Sequence, residues 1–99
     1  MTFTENALNG QHIIISGGVG ALGIGIVKKL TDHGAVMTVN DIIEDADAQQ
    51  RLNDAGIDTA KVHYIKADLT QKSEVVRLVS GAIDKFGNIH TALCHVGMV

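Results

Sequence analysis

His12-Ile13-Ile14-Ile15-Ser16-Gly17-Gly18-Val19-Gly20-Ala21-Leu22-Gly23 decides the fold. The run His12 to Ile15 is rich in β-branched residues and is bounded by Gly10 and the Gly17-Gly18 pair, which predicts a buried strand. Leu22, Ile26 and Leu30 then recur at helical spacing, with the helix starting near Ala21 and Gly34 supplying its stop. Four glycines fall within the eight residues Ser16 to Gly23, where strand hands over to helix. Such a loop turns tightly, lets backbone approach a ligand without an intervening Cβ, and aims helix N-terminal amides outward. A nucleotide pyrophosphate needs those three things of a protein.

Working outward, short apolar runs alternate with helical ones. Ala35 to Val39 predicts a second strand, Asp45 to Ala55 a helix closed by Gly56, and Lys61 to Ala67 a third strand. Thr70 is the expected N-cap of the next helix, in which Val75, Val79, Ile83 and Phe86 form one stripe, expected to pack in the core. Gly87 ends that helix, and His90 to Val96 predicts a fourth strand. The order β-α-β-α-β-α-β implies a parallel sheet with helices on its faces, an α/β, doubly wound, Rossmann-like half with strand order 3-2-1-4.

A second residue strengthens the glycine loop. Asp41 lies at the end of the second strand, 41 − 23 = 18 residues beyond the last loop glycine, close to the spacing of about 20 at which an acid meets a dinucleotide ribose. Its carboxylate can accept from a ribose diol and repels a 2′-phosphate. No Arg or Lys stands in the loop or beside Asp41 in the sequence, so NAD is expected in preference to NADP. Asp68, after the third strand, can accept from an adenine amino group, although an Asp in Asp68-Leu69-Thr70 also serves as an ordinary turn or capping residue.

Composition narrows the classes. The 99 residues are 45% hydrophobic and 19% charged, enough for one small core and unlike a disordered chain. A net charge of −3 and only 3% aromatics argue against nucleic acid or an anionic lipid surface as partner. No apolar run reaches the roughly 18 residues of a membrane span, and the polar N-terminus lacks a signal-peptide layout. The lone Cys94 fits a reducing compartment. A soluble, cytoplasmic protein is the expectation.

Other clusters carry less. His90, Cys94 and His95 invite a metal, but on a strand His95 faces away from the other two, so no metal site is expected. His12, His33 and His63 follow no ligand spacing. Glu44, Asp45 and Asp47 complement the dipole at the start of the second helix, and Lys28-Lys29 form a solvated face.

Taken together the residues resemble the short-chain dehydrogenase/reductase family. Ser16-Gly17-x-x-x-Ala21-x-Gly23 is similar to its Thr-Gly-x-x-x-Gly-x-Gly, and Gly34-Ala35 through Asp41 to its second strand ending in an adenosine-binding acid. Asp68-Leu69-Thr70 resembles its Asp-Val-Thr element, and Phe86-Gly87-Asn88-Ile89-His90 its lead-in to strand four. The resemblance implies a dinucleotide-binding Rossmann domain with cofactor contacts at Gly17, Gly20, Leu22, Gly23, Asp41, Asp68, Leu69, Cys94 and Val96.

The chain departs from that pattern in two places. Ala21 replaces the middle glycine, while Gly17-x-x-Gly20-x-x-Gly23 fits the family's extended branch; and Cys94-His95-Val96-Gly97 stands where the family has Asn-Asn-Ala-Gly. The family's catalytic Ser and Tyr-x-x-x-Lys have no counterpart: Tyr64 is the only tyrosine, and Asp68 lies four positions on. The sequence ends at Met98-Val99, just after the fourth strand. The expected function is therefore the cofactor-binding half of an oxidoreductase that moves hydride between NAD and a small alcohol or carbonyl substrate in a longer parent, the 99 residues alone being inactive. Two alternatives are a non-catalytic dinucleotide sensor or remnant, and an S-adenosylmethionine methyltransferase. Ile15-Ser16, where methyltransferases carry an acid, tells against the latter. A bare edge on strand four adds an expectation of self-association.

Overall fold

The computed structural model describes residues 7–94. In chain order the elements are β1 (His12–Ser16), α1 (Ala21–Asp32), β2 (Val36–Asp41), α2 (Asp45–Asp54), β3 (Val62–Lys66), α3 (Lys72–Phe86) and β4 (Thr91–Cys94), with a short 3-10 turn at Thr59–Lys61 before β3. The sheet runs β3-β2-β1-β4 with all pairs parallel, as the alternation predicts. Asp41 is the last residue of β2, two positions beyond the expected strand end. The last two positions expected in the fourth strand, His95 and Val96, lie outside the described residues.

Strand alternation divides the core in two. Ile13, Ile15, Met37, Val39, Val62 and Tyr64 pack with Val27 of α1 and with Ala48 and Leu52 of α2. On the opposite face Ile14 and Ile65 meet Leu78 and Ala82 of α3, with Ala67 beside them. Two helices thus cover one side and one helix the other.

Helix α3 presents a different face from that expected, whereas in α1 Ile26 and Leu30 do pack, partly buried, against the core. In α1 the buried line is Gly23-Val27-Thr31, one residue on from Leu22-Ile26-Leu30, and Leu22 is 62% exposed. The small Gly23 lets the helix lie close to the turn, and Thr31 is tolerated inside because its hydroxyl donates to the Val27 carbonyl (2.9 Å). In α3 the stripe Val75, Val79, Ile83 is not core: these residues are 38%, 39% and 46% exposed, with Val76 at 58%. The helix rolls so that Leu78 and Ala82 face the sheet, and Gly81 allows Ile65 to approach (a Cβ there would lie 2.9 Å from Ile65 Cδ1). Nor does Thr70 cap α3. Gln71 occupies the N-cap without a side-chain bond, and Thr70 turns back to Asp68.

Two local features fix the sheet's lower end. Gly34 has φ +103°, and a Cβ there would lie 2.0 Å from Asn9 Oδ1, so the turn before β1 packs against the end of α1, where Leu8 N–H donates to the His33 carbonyl (2.8 Å). His12 is buried, its Nδ1 3.1 Å from the Gly87 carbonyl and its Nε2 2.8 Å from Thr38 Oγ1. A carbonyl only accepts, so Nδ1 donates to Gly87, while Nε2 is paired with the Thr38 hydroxyl. With the Phe86 ring edge-on at 5.3 Å, His12 ties β1, β2 and the end of α3 together in a structural role.

Candidate functional site

In a parallel sheet every strand delivers its successor loop to the same edge. Ser16, Asp41, Lys66 and Cys94 are the last residues of the four strands, so the glycine loop, Asp41 and Asp68 share that edge. The chain leaves β1 toward β2 and β3 and returns on the other side to β4. The crevice between β1 and β4 is therefore the point where the strand order reverses, the usual ligand position in such sheets.

The loop glycines divide by function. Gly17 has φ +75°; a Cβ on Gly18 would lie 2.5 Å from Val39 Cγ1, and one on Gly23 would lie 2.5 Å from the Gly17 carbonyl oxygen. These three permit the turn and the close seating of α1. Gly20 is different: a Cβ there would meet only the Gly17 carbonyl, at 3.8 Å, leaving an open approach. It is the N-cap of α1, with no side-chain acceptor and no acid in the first turn. The first intrahelical acceptor bond comes from Ile24 N–H to the Gly20 carbonyl (2.9 Å), so the amides of Ala21, Leu22 and Gly23 have no acceptor within the helix. A positive helix end with open backbone suits a phosphate anion. Leu22 stands exposed beside it.

Asp41 points back to this loop. Its Oδ1 accepts from Ile42 N–H (2.8 Å), and Oδ2 lies 3.4 Å from Val19 N. Two neighbours escape sequence reasoning. Asn40, 2% exposed, accepts at its carbonyl from Gly17 N–H (2.8 Å) and Gly18 N–H (3.1 Å), while its side-chain amide donates to the carbonyls of Ile65 (3.0 Å) and Ala67 (3.2 Å). One buried residue thereby holds the glycine loop and the segment entering Asp68. Arg51, ten positions past Asp41 on α2, donates from Nη1 to the Val19 carbonyl (3.1 Å). No basic residue adjoins Asp41 in the sequence, yet in space Arg51 bonds to the same loop residue that Asp41 approaches. Lys66 is also the register partner of Asp41, and it forms an ion pair with Glu44.

Asp68 is exposed, and its Oδ1 accepts from both the backbone N–H (3.0 Å) and the hydroxyl (2.7 Å) of Thr70, which hold its carboxyl below the usual carboxylate range. That is the geometry of a turn residue, and it sits on the rim of a cavity of about 360 Å³ lined by Ile42, Lys66, Ala67, Asp68, Glu74 and Arg77. Leu69 is half-buried against the α3-side core. Cys94 ends β4 opposite Ser16, and Val96 is outside the described residues.

Tyr64 is buried under the site and donates to the Ile43 carbonyl (2.7 Å). Burial, with the charges of Asp41, Asp45 and Glu44, pushes its phenol up to about 12. A phenol held so firmly protonated and already donating is no acid–base catalyst. Among the described residues no three His, Cys, Asp or Glu side chains gather as metal ligands, and no helix is long and apolar enough to cross a membrane.

Comparison with known proteins agrees with this geometry. The family model described as short chain dehydrogenase matches residues 11–98. "Short-chain dehydrogenase reductase 5" of Arabidopsis thaliana is 28% identical over 92 residues, covering 93% of this chain and 34% of its own length. "L-rhamnose 1-dehydrogenase (NADP(+))" of Thermoplasma acidophilum is 28% identical over 89 residues, covering 90% and 35%. Among solved structures, an "NADH-dependent reductase A1-R′ complexed with NAD" superposes with a TM-score of 0.77 at 28% identity, covering 96% of this chain and 39% of that one. The chain thus spans about a third of the length of the relatives it matches. The methyltransferase alternative loses its footing, and the chain belongs to the short-chain dehydrogenase family.

Proposed function

We propose that this chain binds a nicotinamide dinucleotide, NAD in preference to NADP, and forms the cofactor-binding half of an oxidoreductase acting on a small alcohol or carbonyl compound. The observation that carries the reading is the meeting of Asp41 with the glycine loop at Val19, beside the uncapped N-terminus of α1 and at the reversal of strand order. The open approach at Gly20 fits a pyrophosphate, since nothing but the Gly17 carbonyl stands within reach of a Cβ there. The Asp41 carboxylate receives the adenosine ribose hydroxyls, and the cavity between Ile42 and Asp68 takes the adenine.

When bound, the nicotinamide supplies hydride chemistry. The residues of this chain bind and orient it: the 99-residue sequence contains no Tyr-x-x-x-Lys. The relatives' own names include both NADP(+) and NAD, so cofactor choice here rests on the chain's own residues, above all Asp41.

Titration of the 99-residue chain with NADH, followed by cofactor fluorescence, tests the reading. Saturable binding is expected, and S-adenosylmethionine should not compete. Asp41→Ala should weaken NADH by roughly 10- to 100-fold, the loss of hydrogen bonds to a charged group. Equal affinity in the wild type and this variant would remove Asp41 from the site.

A further inference from the structure

We infer that His12 and His90 form a proton-sensitive clasp between β1 and β4, closed while the His90 ring is neutral and opened by acid, so that the docking of β4 follows pH. The clasp sits at the end of the sheet away from the glycine loop, and it stands independently of the dinucleotide reading.

The two residues exchange a pair of bonds. His90 N–H donates to the His12 carbonyl (2.8 Å), and His12 N–H donates to His90 Nδ1 (2.9 Å). A ring nitrogen thus takes the place of a backbone carbonyl just before the register of β1 with β4 begins, at Ile13 with Thr91. Among the described residues β4 pairs with β1 alone, and it is only four residues long. One bond at its start is therefore a sizeable share of its attachment. The other end of the same strand pair forms the crevice where the strand order reverses.

A backbone N–H only donates, so the bond exists only while His90 Nδ1 carries no proton. In the imidazolium both ring nitrogens are donors, and Nδ1–H would then face the His12 N–H with no acceptor between them. His90 is exposed, so the charged ring can turn to water and release the His12 amide. Imidazole takes up its proton between about pH 8 and about pH 5. The unfolded chain binds the proton that the clasp excludes, so the clasp's contribution is complete at the alkaline end of that range and is lost as pH falls.

Neighbouring groups leave His90 as the responder. On β1 the His12 ring donates from Nδ1 to the Gly87 carbonyl and pairs at Nε2 with the Thr38 hydroxyl of β2, which can donate or accept, so these bonds survive either charge. On β3 His63 is the register partner of Thr38; burial and the ammonium of Lys85 favour its neutral form, against an opposing pull from Asp45. Asp84 and Lys85, in the last turn of α3, are exposed. The bond accepted by His90 Nδ1 is the one that an added proton destroys.

The test measures backbone amide exchange at His12 and along β4, corrected for intrinsic rates, at about pH 8 and about pH 5. It compares the wild-type chain with His90→Asn, whose Oδ1 takes the place of Nδ1 and accepts at every pH, and with His90→Ala, which has no acceptor. Protection in the wild type should fall on acidification by roughly threefold to tenfold relative to His90→Asn, the size of one net hydrogen bond. His90→Ala should be poorly protected at both values. Nitrogen NMR of the wild-type ring should also show the Nε2–H tautomer of His90 at the alkaline value. Parallel protection in the wild type and His90→Asn, or an Nδ1–H tautomer, overturns the clasp. Should a variant not fold, the wild type alone decides: His12 amide protection that is lost along the His90 titration supports the clasp, and loss on a separate course refutes it. Neither readout involves a cofactor, so failure here leaves the dinucleotide reading intact.

Discussion

Asn40 and Arg51 were invisible in the sequence for a definite reason: each acts across more than twenty positions of chain, through backbone carbonyls that carry no residue-type signature. Asn40 reads as a polar residue at a strand end, yet its amide reaches across to Ile65 and Ala67. Arg51 reads as the basic residue near the end of an acidic helix, yet it reaches Val19. Asp41 and the glycines were legible because strand-end position and local spacing alone define them. Tyr64 offers a direct titration at this scale, being the only tyrosine in the chain. Its phenol is pushed from 10.0 to about 12 by burial and by the nearby carboxylates. The folded state thus holds its proton where the unfolded chain loses it, so this stabilisation is complete below pH 10 and is lost as pH rises through 12. Phenolate absorbance of the folded chain should show a midpoint near 12. Tyr64→Phe should lose the Ile43 hydrogen bond and flatten the stability difference across that window. A midpoint at 10 in the folded protein would show the hydroxyl to be solvated.

Helix α3 shows what periodicity can and cannot supply. Its length, its stop at Gly87 and its apolar spacing were all readable in the sequence, because 3.6-residue recurrence is a local property. Which edge of the apolar arc meets the sheet is not local. The arc runs from Leu78 and Ala82 through Val75, Val79 and Ile83 to Val76, broader than one sheet contact can bury, and the sheet selects Leu78 and Ala82. Small residues decide it, since Ala82 and Gly81 let α3 approach Ile65 where the valines would hold it off. The consequence is measurable by denaturant melts of paired variants at low protein concentration. Leu78→Ala should destabilise the chain by about 2–4 kcal/mol through a core cavity. Val79→Gln, on the exposed stripe beside it, should change stability by no more than about 0.5 kcal/mol. Equal costs would mean that the stripe, not Leu78, faces the sheet.

At the scale of the whole molecule, strand order was legible because β-α alternation and right-handed crossovers leave few arrangements for four parallel strands. Coverage of the two faces is less even. Helices α1 and α2 bury one side thoroughly, while α3 alone serves the other, with Thr91 and Ala92 of β4 exposed. Among the described residues β4 is hydrogen-bonded to β1 only, so its other backbone edge faces outward. An open strand edge, together with an apolar stripe of four valine and isoleucine side chains on α3, offers two surfaces for pairing with another chain. A chain of this size buries only about two thirds of its unfolded surface, which leaves it little stability to resist such pairing. The 99-residue chain should therefore associate as its concentration rises, with a sedimentation mass above that of the monomer and a melting temperature that depends on concentration. Replacing Val76 and Val79 with lysine should lower the association by adding charge beside the stripe while sparing the sheet contact made by Leu78 and Ala82. A monomeric mass across the range, with one sharp melting temperature, would show that the exposed face and the β4 edge tolerate water without a partner.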